Sequence, residues 1–217
     1  MTAPKSVIRA LAPLVICLAA TYGAKAASFT QSGSFSADNS IYTHTFDTTT
    51  AQDYTFYTTS YGGGTNADGT HTNAGGFVPV LTLFSSTTGN VLGFGGGDAT
   101  CNGSANADPG TGLCEDAYFS EVLGPGSYTL DLTEFPNVAN GGLNDGFLFS
   151  NDPTATGDLC GVSGGTFLQT DVAPCVQRAS NFSVNVSSTS PVPEPSTWVL
   201  VLPAAAAIAL FGHRQLA

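Results

Sequence analysis

The chain of 217 residues carries a formal net charge of −11, only 10% charged residues and 26 glycines. Lys5, Arg9 and Lys25 lie at its front and Arg214 at its end, so the body between them sets Arg178 alone against fifteen carboxylates, a net charge near −14. Such a body repels a phosphate backbone and excludes nucleic acid as a partner, while cations, cationic surfaces and neutral polymers stay open.

Residues 1–26, "MTAPKSVIRALAPLVICLAATYGAKA", have a basic start at Lys5 and Arg9, an apolar centre from Ala10 to Ala20 and a small-residue exit at Ala24-Lys25-Ala26. That is the three-part pattern of a secretory signal, with cleavage expected after Ala26. Cys17 follows Val15 and Ile16, where a lipoprotein site needs small residues, so no lipidation is expected.

From there the apolar residues alternate over strand-sized stretches broken by turn residues, and no window of ten or more carries helical spacing with a capped start. "SFTQSGSF", "IYTHTF", "DYTFYTTSY" and "VPVLTLFSS" come first, the last apolar enough at Val80, Leu81, Leu83 and Phe84 to be central. His44 is expected on the solvent face of its strand and His71 in a loop. "AYFSEV" follows, then "SYTLDLTEF" after a tight "LGPGS" turn, with Tyr128, Leu130 and Leu132 inward. "NFSVNVSS" closes the series, Phe182, Val184 and Val186 on one face and Asn181, Ser183, Asn185 and Ser187 on the other, which reads as a half-buried strand. Seven or eight short strands without intervening helices imply an all-β fold, an antiparallel β-sandwich of jelly-roll type over residues 27–188.

Long glycine-rich stretches interrupt it: 61–77, 95–116 and 137–174. With Cys17 removed, four cysteines remain, an even number suited to an exported chain and compatible with three pairings. The local pairs, Cys101 with Cys114 and Cys160 with Cys175, each bracket one such loop and are expected. Zinc is a poor alternative, because no Cys-x-x-Cys occurs and His44 and His71 lie far off in sequence.

Residues 189–197 form a Pro/Ser linker, and 198–217 an apolar tail. Its run from Trp198 to Gly212, interrupted by Pro203, reaches about 22 Å as a helix against a hydrocarbon core of about 30 Å, a short transmembrane helix. Trp198 at one edge and His213 with Arg214 at the other suit an interfacial aromatic and a positive flank.

Three groups of residues raise the question of chemistry. Gly161-Val162-Ser163-Gly164-Gly165 matches the Gly-x-Ser-x-Gly spacing, yet it sits inside a cysteine-bracketed loop with no helix after it, so a nucleophile elbow is not expected. Asp98, Asp108, Glu115 and Asp116 crowd the first cysteine loop, and Asn144 and Asp145 lie in a later one; calcium would draw on Asp98, Asp116 and Asp145, though an acidic exterior explains the same residues. Tyr54, Phe56, Tyr57 and Tyr61 would stack sugars if exposed and build core if buried.

The end of the chain, Pro193-Glu194-Pro195 before Ser196, Thr197, Trp198, an apolar stretch and a basic stop, resembles the PEP-CTERM sorting signal of Gram-negative bacteria. The resemblance implies recognition of Pro193, Glu194 and Pro195 by a membrane protease, the exosortase, with Arg214 as the stop. The stretches "YGGGTNADGT", "AGGFVPVLTLFSSTTGNVLGFGGG", "LGPGSYTLDLTEFPN" and "LNDGF" resemble an exported family related to bacterial pre-peptidase C-terminal domains, which implies a β-sandwich of surface or matrix type with no established enzymatic activity. The expectation is a structural or adhesive protein associated with the exopolysaccharide of the cell surface or matrix, passing transiently through the inner membrane. A carbohydrate- or calcium-dependent binding module in the same place is the alternative.

Overall fold

Alternating sequences become strands where one face finds an opposing sheet. In the computed structural model the described residues are 28–97, 101, 105–169 and 175–189. In chain order they form β1 (Ser28–Ser34), β2 (Tyr42–Thr48), β3 (Gln52–Thr58), β4 (Gly64–Thr65), β5 (His71–Thr72), β6 (Pro79–Ser85), β7 (Val91–Gly96), β8 (Tyr118–Leu123), β9 (Gly126–Glu134), α1 (Ala155–Leu159), β10 (Leu168–Gln169), β11 (Val176–Gln177) and β12 (Asn181–Thr189). The leader, Asp98, the Pro-Glu-Pro motif, Arg214 and the apolar tail lie outside the described residues. Among the described ones no helix is long and apolar enough to cross a membrane.

Eight long strands make two antiparallel four-stranded sheets, ordered β1-β12-β3-β8 and β2-β9-β6-β7. Successive strands alternate between the sheets at both ends of the chain, the wrapping of an eight-stranded jelly roll. Register puts Leu81 opposite Leu132 and Leu83 opposite Leu130 in one sheet, and Val186 opposite Phe56 in the other. These side chains meet between the sheets, where Phe56, Leu81, Leu83, Leu130, Leu132 and Val184 are at most 1% exposed. Each such side chain contributes about 1.5–3 kcal/mol of hydrophobic stabilisation. Aromatic pairs fill the wider parts of the core, Phe56 on Phe119 at 4.8 Å and Phe35 on Phe77 at 5.0 Å between ring centroids.

Three local readings change. β7 was not legible as a strand because Gly93 and Gly95 occupy its inward positions; a Cβ at Gly95 would stand 2.9 Å from the Phe119 ring, so the ring of β8 takes the space that side chains on β7 would fill. The polar face of β12 is buried as well, with Ser183 and Asn185 fully covered by the 61–76 loop. Asn66 seals that face, its Oδ1 accepting from Ser183 Oγ at 2.9 Å and Asn185 Nδ2 at 3.1 Å, while Ala67 N donates to Asn185 Oδ1. His44 faces inward with Tyr42 and Phe46, not to solvent, and stacks on Phe29 at 3.9 Å; burial pushes its pKa down.

Candidate functional site

The loops at one end of the sandwich are where charge and chemistry collect, and both disulfides pin them. Cys101 pairs with Cys114 and Cys160 with Cys175, with Cα atoms 4.9 and 6.1 Å apart. Closing loops of this length removes chain entropy from the unfolded state, worth about 3 kcal/mol each in that model. Two structural disulfides also indicate an exported, oxidising setting.

Asp116, at the approach to β8, is buried. Its Oδ1 accepts from Thr58 Oγ1 at 2.7 Å, Ser60 N at 2.6 Å and Tyr61 N at 3.1 Å, and its Oδ2 from Gly62 N at 2.8 Å. Burial pushes its pKa up against the pull of these four bonds. The carboxylate therefore works as a clamp on the chain leaving β3. Both of its oxygens are thus engaged by donors of the protein itself. Asp145 closes its own turn, accepting from Gly142 N at 2.7 Å. Asp98 lies outside the described residues, and among those described no group of three or more His, Cys, Asp or Glu is placed to hold a metal ion.

Arg178 is the hub of a second lock. Its guanidinium forks onto Asp108, donates from Nε to Gly76 O at 2.9 Å and from Nη2 to Tyr61 O at 3.1 Å, and lies 4.1 Å over the Tyr61 ring. Asp108 also accepts from Thr111 N and Oγ1. Burial opposes the charge on Asp108, but the Arg178 and Thr111 interactions outweigh it and hold the carboxyl below its ordinary value.

The third lock joins Asp38 to the 153–168 segment. Asp38 accepts from Thr156 N and Oγ1 through Oδ2 and from Phe167 N at 2.8 Å through Oδ1. That last bond supports Phe167 at φ 54°, a left-handed conformation that costs a non-glycine residue about 1–3 kcal/mol. Glu134, the inward-facing last residue of β9, is buried against Asp38; burial first, then the Asp38 charge and hydrogen bond, push its pKa to about 10.

Ser163 stands exposed in the turn after α1, with β10 following, the reverse of a strand-to-helix elbow. Tyr54, Phe56, Tyr57 and Tyr61 are all buried, so they build core and offer no sugar platform. Among the described residues the open phenyl rings are elsewhere: Phe94 on β7 and Phe135 after β9, beside Glu115, line a groove on the outer face of the second sheet.

No protein-family model matches the chain, and no curated protein matches it. Among solved structures it is similar to the pre-peptidase C-terminal domain of collagenase from Bacillus anthracis, at 11% identity and a TM-score of 0.34, covering 75% of this chain and 89% of that one. The all-β architecture stands on the strand pairings themselves.

Neither the Asp38–Glu134 pair nor the exposed Phe94–Phe135 groove was found by sequence reasoning. Arg178 did leave a signal: one arginine among fifteen acids, in a body with a core, has a carboxylate partner to find.

Proposed function

We propose that the protein is an exported structural or adhesive component of the cell surface or extracellular matrix, delivered through a PEP-CTERM signal at Pro193-Glu194-Pro195 and processed by an exosortase. The observation that carries this reading is the use of the loop chemistry for rigidity. Two disulfides, the Asp116 clamp and the Arg178–Asp108 lock hold the long loops in place, as a load-bearing or display module outside the cell requires.

Intact, unreduced mass of the protein recovered from its native envelope and medium tests it. A chain starting after Ala26 and ending near Pro195 supports the reading, and Glu194→Ala should then leave the tail attached and the protein at the inner membrane. Cytoplasmic protein retaining Met1 and free thiols would refute it. Hydrolase activity abolished by Ser163→Ala would replace it with a catalytic function.

The open aromatic groove favours the second reading, a carbohydrate-binding module on the same scaffold.

A further inference from the structure

Five carboxyl groups are buried among the described residues, and four of them have an answer to their charge. Asp116 accepts four donors and Asp38 three, Asp108 faces Arg178, and Glu134 keeps its proton against Asp38. Asp131 has none of these. It sits in the middle of β9, 5% exposed, hydrogen-bonded by the Thr43 side chain but with no partner for Oδ1 among the described residues. The body's single arginine is committed to Asp108, so no lysine or arginine is left for it.

Two hydroxyls beside Asp131 share its condition. Thr82 on β6 stands directly opposite it, and Thr133 lies two residues further along β9 on the same face, the outer one, since Leu130 and Leu132 point to the core. Both threonines are 1% exposed, and neither Oγ1 has a hydrogen-bond partner. Side chains directly opposite on antiparallel strands have Cβ atoms about 4.5–5.5 Å apart, and alternate residues of one strand stand about 7 Å apart. The three oxygens are therefore neighbours, yet none of them bonds another. Folded proteins rarely leave buried polar atoms so, and three together mark the place of a small bound species.

Charge decides what that species is. A water molecule would bridge the oxygens but leave the carboxylate buried and uncompensated, whereas buried charges are paired or bind metal ions. A divalent ion would overshoot, because one carboxylate and two hydroxyls carry a single negative charge. Carboxylate and hydroxyl oxygens are hard ligands, suited to hard cations. We propose that Asp131, Thr82 and Thr133 form a binding site for one monovalent alkali cation, sodium or potassium, on the outer face of the second sheet. Thr43, exposed on the edge strand β2 and paired with Asp131 from its other side, gives the ion a way in from solvent. The body's charge near −14 draws cations toward it. The site goes beyond the export and carbohydrate readings and rests on neither.

The test is thermal unfolding of the full, disulfide-bonded chain near neutral pH in sodium, potassium and choline chloride at equal ionic strength, so that screening is the same in all three. Choline is too large for a site among packed side chains. The parent midpoint rises with the logarithm of sodium or potassium concentration and stays lower in choline, as for a ligand that binds the folded state alone. Asp131→Asn, which keeps the shape and removes the charge, loses that difference. Thr82→Val and Thr133→Val, near-isosteric without the hydroxyl, each weaken the apparent cation affinity about tenfold or more, the scale of losing a partner at a metal site, and remain folded in choline. Asp53→Asn removes an exposed carboxylate from the other sheet and keeps the full response. Equal midpoints in sodium, potassium and choline would overturn the inference and leave the three oxygens to water. So would a sodium response that survives Asp131→Asn, one that Asp53→Asn removes as well, or an Asp131-dependent response stronger to calcium than to sodium. None of these outcomes touches the export reading, whose test is the mass of the mature chain.

Discussion

Arg178 and Asp108 meet as a fork, Nη2 3.1 Å from Oδ1 and Nη1 3.2 Å from Oδ2, inside a body that has no other basic residue. Nε and Nη2 also reach the carbonyls of Gly76 and Tyr61, so one side chain joins the 61–76 loop, the Asp108–Thr111 turn and the segment between β11 and β12. A buried pair of this kind is weak evidence for net stability, yet removing one member leaves the other charge buried without a partner.

Arg178→Met should therefore cost about 3–5 kcal/mol in denaturant unfolding with disulfides intact. Arg178→Lys should recover only part of this, because a single ammonium cannot hold both carboxylate oxygens and two carbonyls. The pair also predicts an acid limb. Asp108 is held below its ordinary value, so its contribution is full above the unfolded carboxylate range and is lost as pH falls through the folded value. A midpoint in Arg178→Met within experimental error of the parent would refute the lock.

Asp116→Ala strips acceptors from three backbone amides and the Thr58 hydroxyl at once. With about 1–3 kcal/mol for each buried donor left unsatisfied, the loss should be at least about 3 kcal/mol, tempered by water entering the gap. Hydrogen exchange localises it: amides of Ser60, Tyr61 and Gly62 should exchange faster while those of β9 and β6 stay protected. Uniform acceleration across both sheets would show that Asp116 supports the whole fold instead of the loop.

The sequence made the core faces of β9 and β12 legible because period-two alternation is a property of the strand itself: Tyr128, Leu130 and Leu132 do point inward, as do Phe182, Val184 and Val186. It misled where a loop or a ring from elsewhere decides the environment. Ser183 and Asn185 look like a wet face until the 61–76 loop folds over them, and the glycines of β7 look like a loop until Phe119 fills their side. The loop locks escape for the same reason. Asp38 and Thr156, or Asp108 and Arg178, are separated by 118 and 70 positions, and only the folded sheets bring them together. The pairing Cys101–Cys114 and Cys160–Cys175 was readable because both are local.

Replacing Cys160 and Cys175 together by Ser should lower stability by about 3 kcal/mol, the chain-entropy value for a loop near 15 residues. The Cys101/Cys114 double variant should cost a similar amount, since its loop differs by only two residues: 13 against 15 in sequence separation. Equal midpoints for oxidised parent and variants would mean that the loops are held by the carboxylate locks alone.

Glu134 gives the fold its alkaline weakness. Its ordinary pKa of 4.5 rises to about 10 in the fold, through burial first and then through the Asp38 charge and hydrogen bond, and its Oε2 has no hydrogen-bond partner. The unfolded chain therefore releases a proton above the ordinary value that the folded chain keeps until about pH 10. The group contributes no penalty below the ordinary value, and an increasing one as pH rises through the window, with a slope of up to about 1.4 kcal/mol per pH unit. Asp116 and Asp131, both pushed up by burial, slope the same way. Glu134→Gln removes one titration and keeps a donor for Asp38, so its stability should match the parent at low pH and exceed it progressively toward alkaline pH. Denaturant midpoints measured across that range check it: two parallel curves would mean that Glu134 ionises in the fold as readily as in the unfolded chain, and that water reaches the Asp38 pocket.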